Sequence, residues 1–188
     1  LSHTTIYKIL GEKYQLRSKW KKNQPRGPIP HARAPREVIQ MDSVDFGSLF
    51  AFTGVDVFSK EVSVKLYLSL TAKDGLDFLT FSMSSKFNHT NLLQADGGSE
   101  FKAEFKAHVL EYADRFRVAR PYKKNEQSYI ESFNRSLRKE CLGWIKYQRS
   151  DLPTLEEELS KYLVYYHTKR PHMSLNMLTP NEFLEDYQ

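Results

Sequence analysis

A mixed α/β sheet with helices on its faces is the architecture this sequence predicts, and three observations predict it. Three apolar, β-branched stretches come first, joined by short connectors such as Gly47-Ser48 and Ser59-Lys60, as in consecutive antiparallel strands. Two further short apolar stretches then alternate with segments of helical period. The last third of the chain has helical period only. Strands, then strand–helix alternation, then helices describe a sheet layered with helices.

The elements follow in order. Ser2 to Leu10 reads as a short helix, capped by Ser2, with Ile6, Ile9 and Leu10 on one face and Gly11 ending it. Pro25, Pro28, Pro30 and Pro35 then exclude a regular helix and favour a stiff, extended linker, with a boundary near Pro35. Val38–Phe46 and Leu49–Phe58 read as strands of a sheet centre. Glu61–Leu70 alternates Val62, Val64, Leu66, Leu68 and Leu70 with Glu61, Ser63, Lys65, Tyr67 and Ser69, so one wet face is expected. Thr71 with Asp74 is a capping-box start for a helix carrying Leu76, Leu79, Met83 and Phe87. Asn91–Ala95 is a fourth strand, and Phe101, Phe105, His108 or Val109, and Tyr112 mark a helix. Arg115–Ala119 is a fifth strand. Ile130, Phe133, Leu137, Cys141 and Trp144 form one helical stripe, which places Cys141 in the core. Thr154 with Glu157 opens a helix bearing Leu155, Leu159, Tyr162, Leu163 and Tyr166. Thr179-Pro180-Asn181-Glu182 starts a last short one.

Bulk properties narrow the function. The 188 residues, 40% hydrophobic, are enough for one sizeable core and a short appendage. No apolar run reaches the length of a membrane span, and no charged-then-apolar leader opens the chain, so no membrane partner and a cytoplasmic setting are expected. One cysteine excludes an intrachain disulfide framework and Cys-based zinc clusters. The net charge of +5 is unevenly placed. Lys13 to Arg36 holds eight Lys/Arg and no acid, which leaves 20 bases against 23 acids elsewhere. That segment is a candidate phosphate-binding strap, with Lys19, Lys21, Lys22 and Arg26 as its contacts; a solvated linker is the alternative.

Three acids occupy telling places. Asp42 lies within the first strand, Asp96 at the exit of the fourth before Gly97-Gly98, and Glu131 on a helix after a polar loop. Ligand sites of such sheets collect at the carboxyl ends of strands. Carboxylates without Cys or clustered His favour magnesium or manganese, and two such ions suit in-line phosphoryl displacement. Any single acid is more often a surface residue. Asp45 is the rival to Asp42, but three positions apart on a strand the two point to opposite faces. Asp56 reads as a supporting or structural acid. Glu100 either complements a helix dipole or supports the site. Asn134, Arg135 and Arg138 share the face of Glu131, and Lys123 and Lys124 precede it, so these cations are candidate phosphate contacts. Tyr122 is suited to stacking on a base or packing under its loop, and His172 to a structural hydrogen bond.

The sequence around these acids resembles the DDE transposases and retroviral-type integrases, bacterial insertion-sequence transposases above all. The resemblance rests on Gln40-Met41-Asp42, on Gln94-Ala95-Asp96-Gly97-Gly98-Ser99-Glu100-Phe101, and on Arg120-Pro121-Tyr122-Lys123-Lys124-Asn125 leading to Glu131-Ser132-Phe133-Asn134. Asp56-Val57-Phe58-Ser59-Lys60, Arg170-Pro171-His172 and Thr179-Pro180 also fit, as do the 34 residues between Asp96 and Glu131. The resemblance covers residues 36 to 185. Two departures, Gly97 in place of Asn and Lys124–Ser128 in place of a Pro-Gln-Thr-Asn-Gly loop, bear on fine DNA contacts rather than on metal binding.

The resemblance implies an RNase H-like five-stranded sheet over residues 37–188 behind a basic linker (13–36) and a helix-turn-helix remnant (1–12). Because the chain opens on Leu1 and Ser2–Leu10 resembles the last helix of such a domain, a longer parent protein is expected. Asp42 and Asp96 would share two magnesium or manganese ions and Glu131 would complete one coordination shell. Water would free a 3′ hydroxyl at an element end, and that hydroxyl would attack target DNA, within an oligomer holding both ends. A silent DNA-binding or synapsis protein and a hydrolysis-only RNase H-like nuclease are the alternatives.

Overall fold

The computed structural model describes residues 29–120 and 125–187. The expected Ser2–Leu10 helix, the contacts assigned to Lys19, Lys21, Lys22 and Arg26, and Tyr122, Lys123 and Lys124 lie outside the described residues.

Five strands, β1 (Val38–Asp45), β2 (Phe50–Asp56), β3 (Val62–Tyr67), β4 (Thr90–Ala95) and β5 (Ala113–Val118), form one mixed sheet in the order β3-β2-β1-β4-β5. β1, β2 and β3 are antiparallel, whereas β4 runs parallel to both β1 and β5. The helices are α1 (Ala72–Ser82), α2 (Ala103–His108), α3 (Ser128–Leu137), α4 (Leu152–Thr168) and α5 (Pro180–Tyr187).

Period-two alternation sends the strands' side chains into two cores. Val44, Ala51, Val55, Val62, Val64 and Leu66 pack with Ile130, Phe133 and Leu137 of α3 and Leu155, Leu159, Tyr162 and Tyr166 of α4. Ile39, Met41, Phe52, Leu93 and Ala95 pack with Phe78 and Leu79 of α1 and Phe105 of α2. Both sheet faces are therefore covered, and the polar face expected on β3 is only half wet. The strand stops at Tyr67, and Lys65 and Tyr67 donate to Asp77 of α1 at 2.7 and 2.6 Å. Alternation shows which face is apolar; it is silent on whether a helix satisfies the other. At the sheet edge, His167 of α4 accepts the Val62 N–H at 3.1 Å, and burial holds this imidazole down to about pKa 4.

Local chemistry explains most helix ends. Thr71 and Asp74 bond reciprocally, as do Thr179 and Glu182, so two of the three expected Thr-x-x-acid starts form capping boxes. α4 starts two residues before Thr154, because Gln148 and Asp151 form the box and Pro153 fills the first turn, where its missing N–H is harmless. The stripe from Ile130 fails at its end. α3 runs into a π-helical turn, Arg138–Leu142, whose wider i→i+5 spacing buries Leu142, leaves Cys141 half-buried, and releases Trp144 to solvent. The expected Phe101–Tyr112 helix is broken at Lys102, whose backbone is extended, into two 3₁₀ turns flanking α2.

Candidate active site

The strand register makes the site. β1 and β4 pair in parallel with Gln40 opposite Gln94 and Met41 opposite Ala95. Asp42 and Asp96 are each the next residue, so both stand where the β1–β4 ladder ends, on strands whose spacing is ~4.8 Å. The Gln-x-Asp pattern that occurs twice in the sequence is thus aligned across the sheet.

Glu131 arrives from α3, which is tied to the same strands. Gln127, at the start of α3, gives no side-chain cap. The cap comes from β1 instead: Gln40 Oε1 accepts the Ile130 N–H at 3.1 Å. Gln40 and Gln94 both donate through Nε2 to the Glu126 carbonyl, at 2.6 and 2.9 Å. One turn further along α3, Asn134 Nδ2 donates to Asp42 Oδ2 at 2.8 Å. Asp42, Glu131, Asn134, Arg135 and Arg138 then line one open recess. Asp96 is not on its wall, but its charge bears on Asp42.

Electrostatics set this corner apart. Burial first, then the charges of Asp96, Glu100 and Glu131, push the Asp42 carboxyl up to about 7 against the bond from the Ser43 N–H. Asp96 is raised too, by burial and by Glu100, while the Gly98 N–H at 2.8 Å and Lys102 oppose the shift. The buried Asn134 Oδ1 has no hydrogen-bond partner. An all-oxygen, acid-rich donor set of this kind fits a hard divalent cation. The carboxylates do not close into a ready-made cage: among the described residues no group of three or more His, Cys, Asp or Glu could hold an ion as it stands.

The neighbouring acids separate by their bonds. Glu100, only 4% exposed, belongs with the cluster, because Ser43 Oγ donates to it at 2.6 Å and its charge bears on both aspartates. Its signal in the sequence is Gly98, where an added Cβ would lie 2.4 Å from a Glu100 carboxylate oxygen. Asp56 is structural: it accepts from the N–H groups of Arg36, Phe58 and Ser59 and from the Ser59 hydroxyl, closing the β2–β3 turn. Asp45 corrects the alternation argument. It borders the same recess as Asp42, because the strand ends there and residues of both faces reach the rim. What distinguishes Asp45 is its engagement by the Gly47 N–H at 2.6 Å.

Among the candidate phosphate contacts, Arg135 and Arg138 line the recess, and Arg138 also donates to the Asp45 carbonyl at 2.9 Å. The structural hydrogen bond expected of His172 is not seen among the described residues: its buried Nε2 has no partner, and the ring stacks edge-on against Tyr166 at 4.8 Å, while the adjacent Arg170 holds Glu140 through two 2.7 Å bonds. A second cleft of about 450 Å³, lined by Lys60, Tyr129, Ser132 and Arg170 among others, lies on the other flank of α3 and has no carboxylate in its wall. Sequence reasoning passed over Glu126. It is 1% exposed and paired with Arg117 at 2.9 Å and Arg120 at 2.6 Å. Burial pushes its carboxyl up, but the Arg120 bonds and the two guanidinium charges outweigh that and hold it below the ordinary range.

Comparison with known proteins agrees with this fold. Residues 114–180, from β5 into α5, match the family described as integrase core domain. The chain is similar to the insertion element IS476 uncharacterized 39.2 kDa protein of Xanthomonas euvesicatoria, at 24% identity over 100% of this chain and 57% of that protein. It is similar to the transposase for insertion sequence element IS904 of Lactococcus lactis, at 24% identity over 73% of this chain and 55% of that one. The chain thus spans little more than half the length of these two relatives. Its fold is that of the HTLV-2 integrase catalytic core domain, solved in complex with magnesium, with a TM-score of 0.61 at 17% identity over 80% of this chain and 97% of the other. The mixed sheet is accordingly the RNase H-like sheet that the motifs implied. No helix among the described residues is long and apolar enough to cross a membrane. Motifs, relatives and fold thus agree in a likeness to the cores of DDE transposases and retroviral-type integrases.

Proposed function

We propose that this chain is the DNA-cutting and DNA-joining core of an insertion-sequence transposase, and that Asp42, Asp96 and Glu131 are its metal-binding acids. The observation that carries the reading is the coupling of Asp42 to Asp96, Glu100 and Glu131 where the pairing of β1 with β4 ends, and where burial and like charge together raise its carboxyl to about 7. Among the described residues, the charges that bear on Asp42 are those of other acids. Such a cluster stores a demand for positive charge from outside.

When bound, magnesium or manganese, as one or two ions, would supply charge stabilisation to the attacking and leaving oxygens of a phosphodiester. The chain's own residues do the rest. Asn134 fixes one oxygen of Asp42, and the Gly98 N–H fixes one oxygen of Asp96. Gln40 sets the start of α3 and with it the height of Glu131. Ser43 holds Glu100 beside them. Arg135 and Arg138, on the wall of the recess, meet the phosphates flanking the scissile one. Lys123, Lys124 and the strap cations Lys19, Lys21, Lys22 and Arg26 extend that contact along the backbone. Replacing the four strap cations by Ala should flatten the salt dependence of DNA binding by ~3 to 4 in log–log slope.

Asp96→Asn tests the reading. Cleavage and strand transfer on duplexes carrying the element ends should fall at least ~100-fold, as when a group stabilising the transition state is removed. The variant should keep its fold by circular dichroism. Retained activity would remove Asp96 from the site, and cleavage without joining in the unsubstituted chain would turn the reading into a nuclease.

A further inference from the structure

The recess that holds Asp42 and Glu131 has an aromatic wall that the reaction as described leaves unused. Trp144 is 67% exposed and lies on that wall. It is nevertheless held in place. The guanidinium carbon of Arg138 sits 5.1 Å from the Trp144 ring centre and 4.4 Å from that of Phe46, a residue 1% exposed. Arg138 is itself anchored by its bond to the Asp45 carbonyl. One cation thus ties an exposed indole to a buried ring.

The segment after Trp144 is braced as well. The Tyr147 N–H donates to the Phe46 carbonyl at 2.7 Å, and the Ser48 N–H donates to the Tyr147 carbonyl at 3.2 Å. Gly47, at φ +92°, makes room for this, because a Cβ there would lie 2.9 Å from Lys146 Cβ. An aromatic ring already ordered loses little entropy when a partner stacks on it.

We propose that Trp144 is the stacking platform for an unpaired nucleobase of the DNA whose phosphate lies in the Asp42–Glu131 recess. This rests on the DNA-processing reading above and names a base contact within it. The occupant follows from the surroundings. A protein surface seated here would have to bury carboxylates and two guanidiniums together, at a heavy desolvation cost. A nucleotide instead offers a π-face to the indole and phosphate oxygens to Arg135 and Arg138. Bases within a duplex already stack on their neighbours, so the platform selects one that is frayed, overhanging or flipped. Because every base has a π-face, the contact tolerates sequence.

The test uses the whole chain and a duplex with a short 5′ overhang carrying 2-aminopurine, in calcium, so that binding is read without turnover. Stacking on Trp144 should quench the 2-aminopurine. Trp144→Ala should abolish that quenching and weaken binding of the overhang ~10-fold, with the affinity for a blunt duplex almost unchanged. Trp144→Phe, which keeps an aromatic ring, should restore most of both. Equal binding of overhang and blunt duplex by wild type and Trp144→Ala would overturn the proposal. So would a loss confined to self-association in sedimentation, which would assign the ring to a second copy of the chain. If the unsubstituted chain cleaves DNA but never quenches the 2-aminopurine, the base platform alone falls. If stacking is seen without any cleavage, the platform stands and the reaction alone falls.

Discussion

Two carboxylates held against the same pair of strands, the buried Glu126 and the half-buried Asp42, are compensated in opposite ways. Glu126 is met by Arg117, Arg120, and the Arg120 N–H, and its carbonyl is met by Gln40 and Gln94. Asp42 lies two residues along β1 from Gln40, yet its electrostatic neighbours are Asp96, Glu100 and Glu131. The first carboxyl is held below the ordinary range and the second above it. A buried acid with its cations built in is a fastening. A half-buried acid whose neighbours are acids is, on the proposed reading, a receptor for a cation from elsewhere. The fastening serves the receptor, because the groups around Glu126 set where α3 begins and hence where Glu131 stands.

That contrast is open to measurement, first through pH. The raised Asp42 keeps its proton in the folded chain up to about pH 7, whereas the unfolded chain loses it near the ordinary 3.8. Between those values the folded state binds more protons, so without divalent ions stability should fall as pH rises, by up to ~4 kcal/mol. Urea denaturation at pH 5 and pH 8 reads this. Asp42→Asn should flatten the difference, and magnesium should restore stability at pH 8. A pH-independent midpoint would break the contrast.

Glu126→Ala should act at both pH values alike. It strips two arginines, 39% and 56% exposed, of their shared acid, so ~2 to 3 kcal/mol is expected rather than the larger cost of breaking a fully buried pair. Gln40→Ala, which loses the Ile130 cap and one bond to Glu126, should cost ~1 to 2 kcal/mol. Gln94→Ala loses a single bond and should cost ~1 kcal/mol. If the Gln40 change lowers strand transfer no more than the Gln94 change does, the cap has no part in placing Glu131.

Much of this was legible in the chain. The capping pairs Thr71–Asp74 and Thr179–Glu182, the period-two strands and the order of elements follow from chemistry within a few residues, where the sequence is its own environment. The motifs around Asp42, Asp96 and Glu131 were legible because their order and spacing carry a pattern that single acids lack. The π-turn after Arg138 was not legible, since the stripe from Ile130 continues smoothly into it. Neither was the role of Glu126, which reads as one acid in a polar loop until Arg117, Arg120, Gln40 and Gln94 surround it.

By itself, then, the sequence determined a mixed sheet with helices on both faces, most of its helix starts, and which three acids to watch. Only the tertiary structure decided that Gln40 and Gln94 stand in register, that Glu100 joins the acids while Asp56 closes a turn, and that Trp144 leaves the core for the wall of the recess. The reason is physical. Propensity, capping and periodicity act over one or two turns of chain, whereas burial and charge coupling depend on residues that meet across 50 to 90 positions, as Ser43 meets Glu100 and Gln40 meets Ile130.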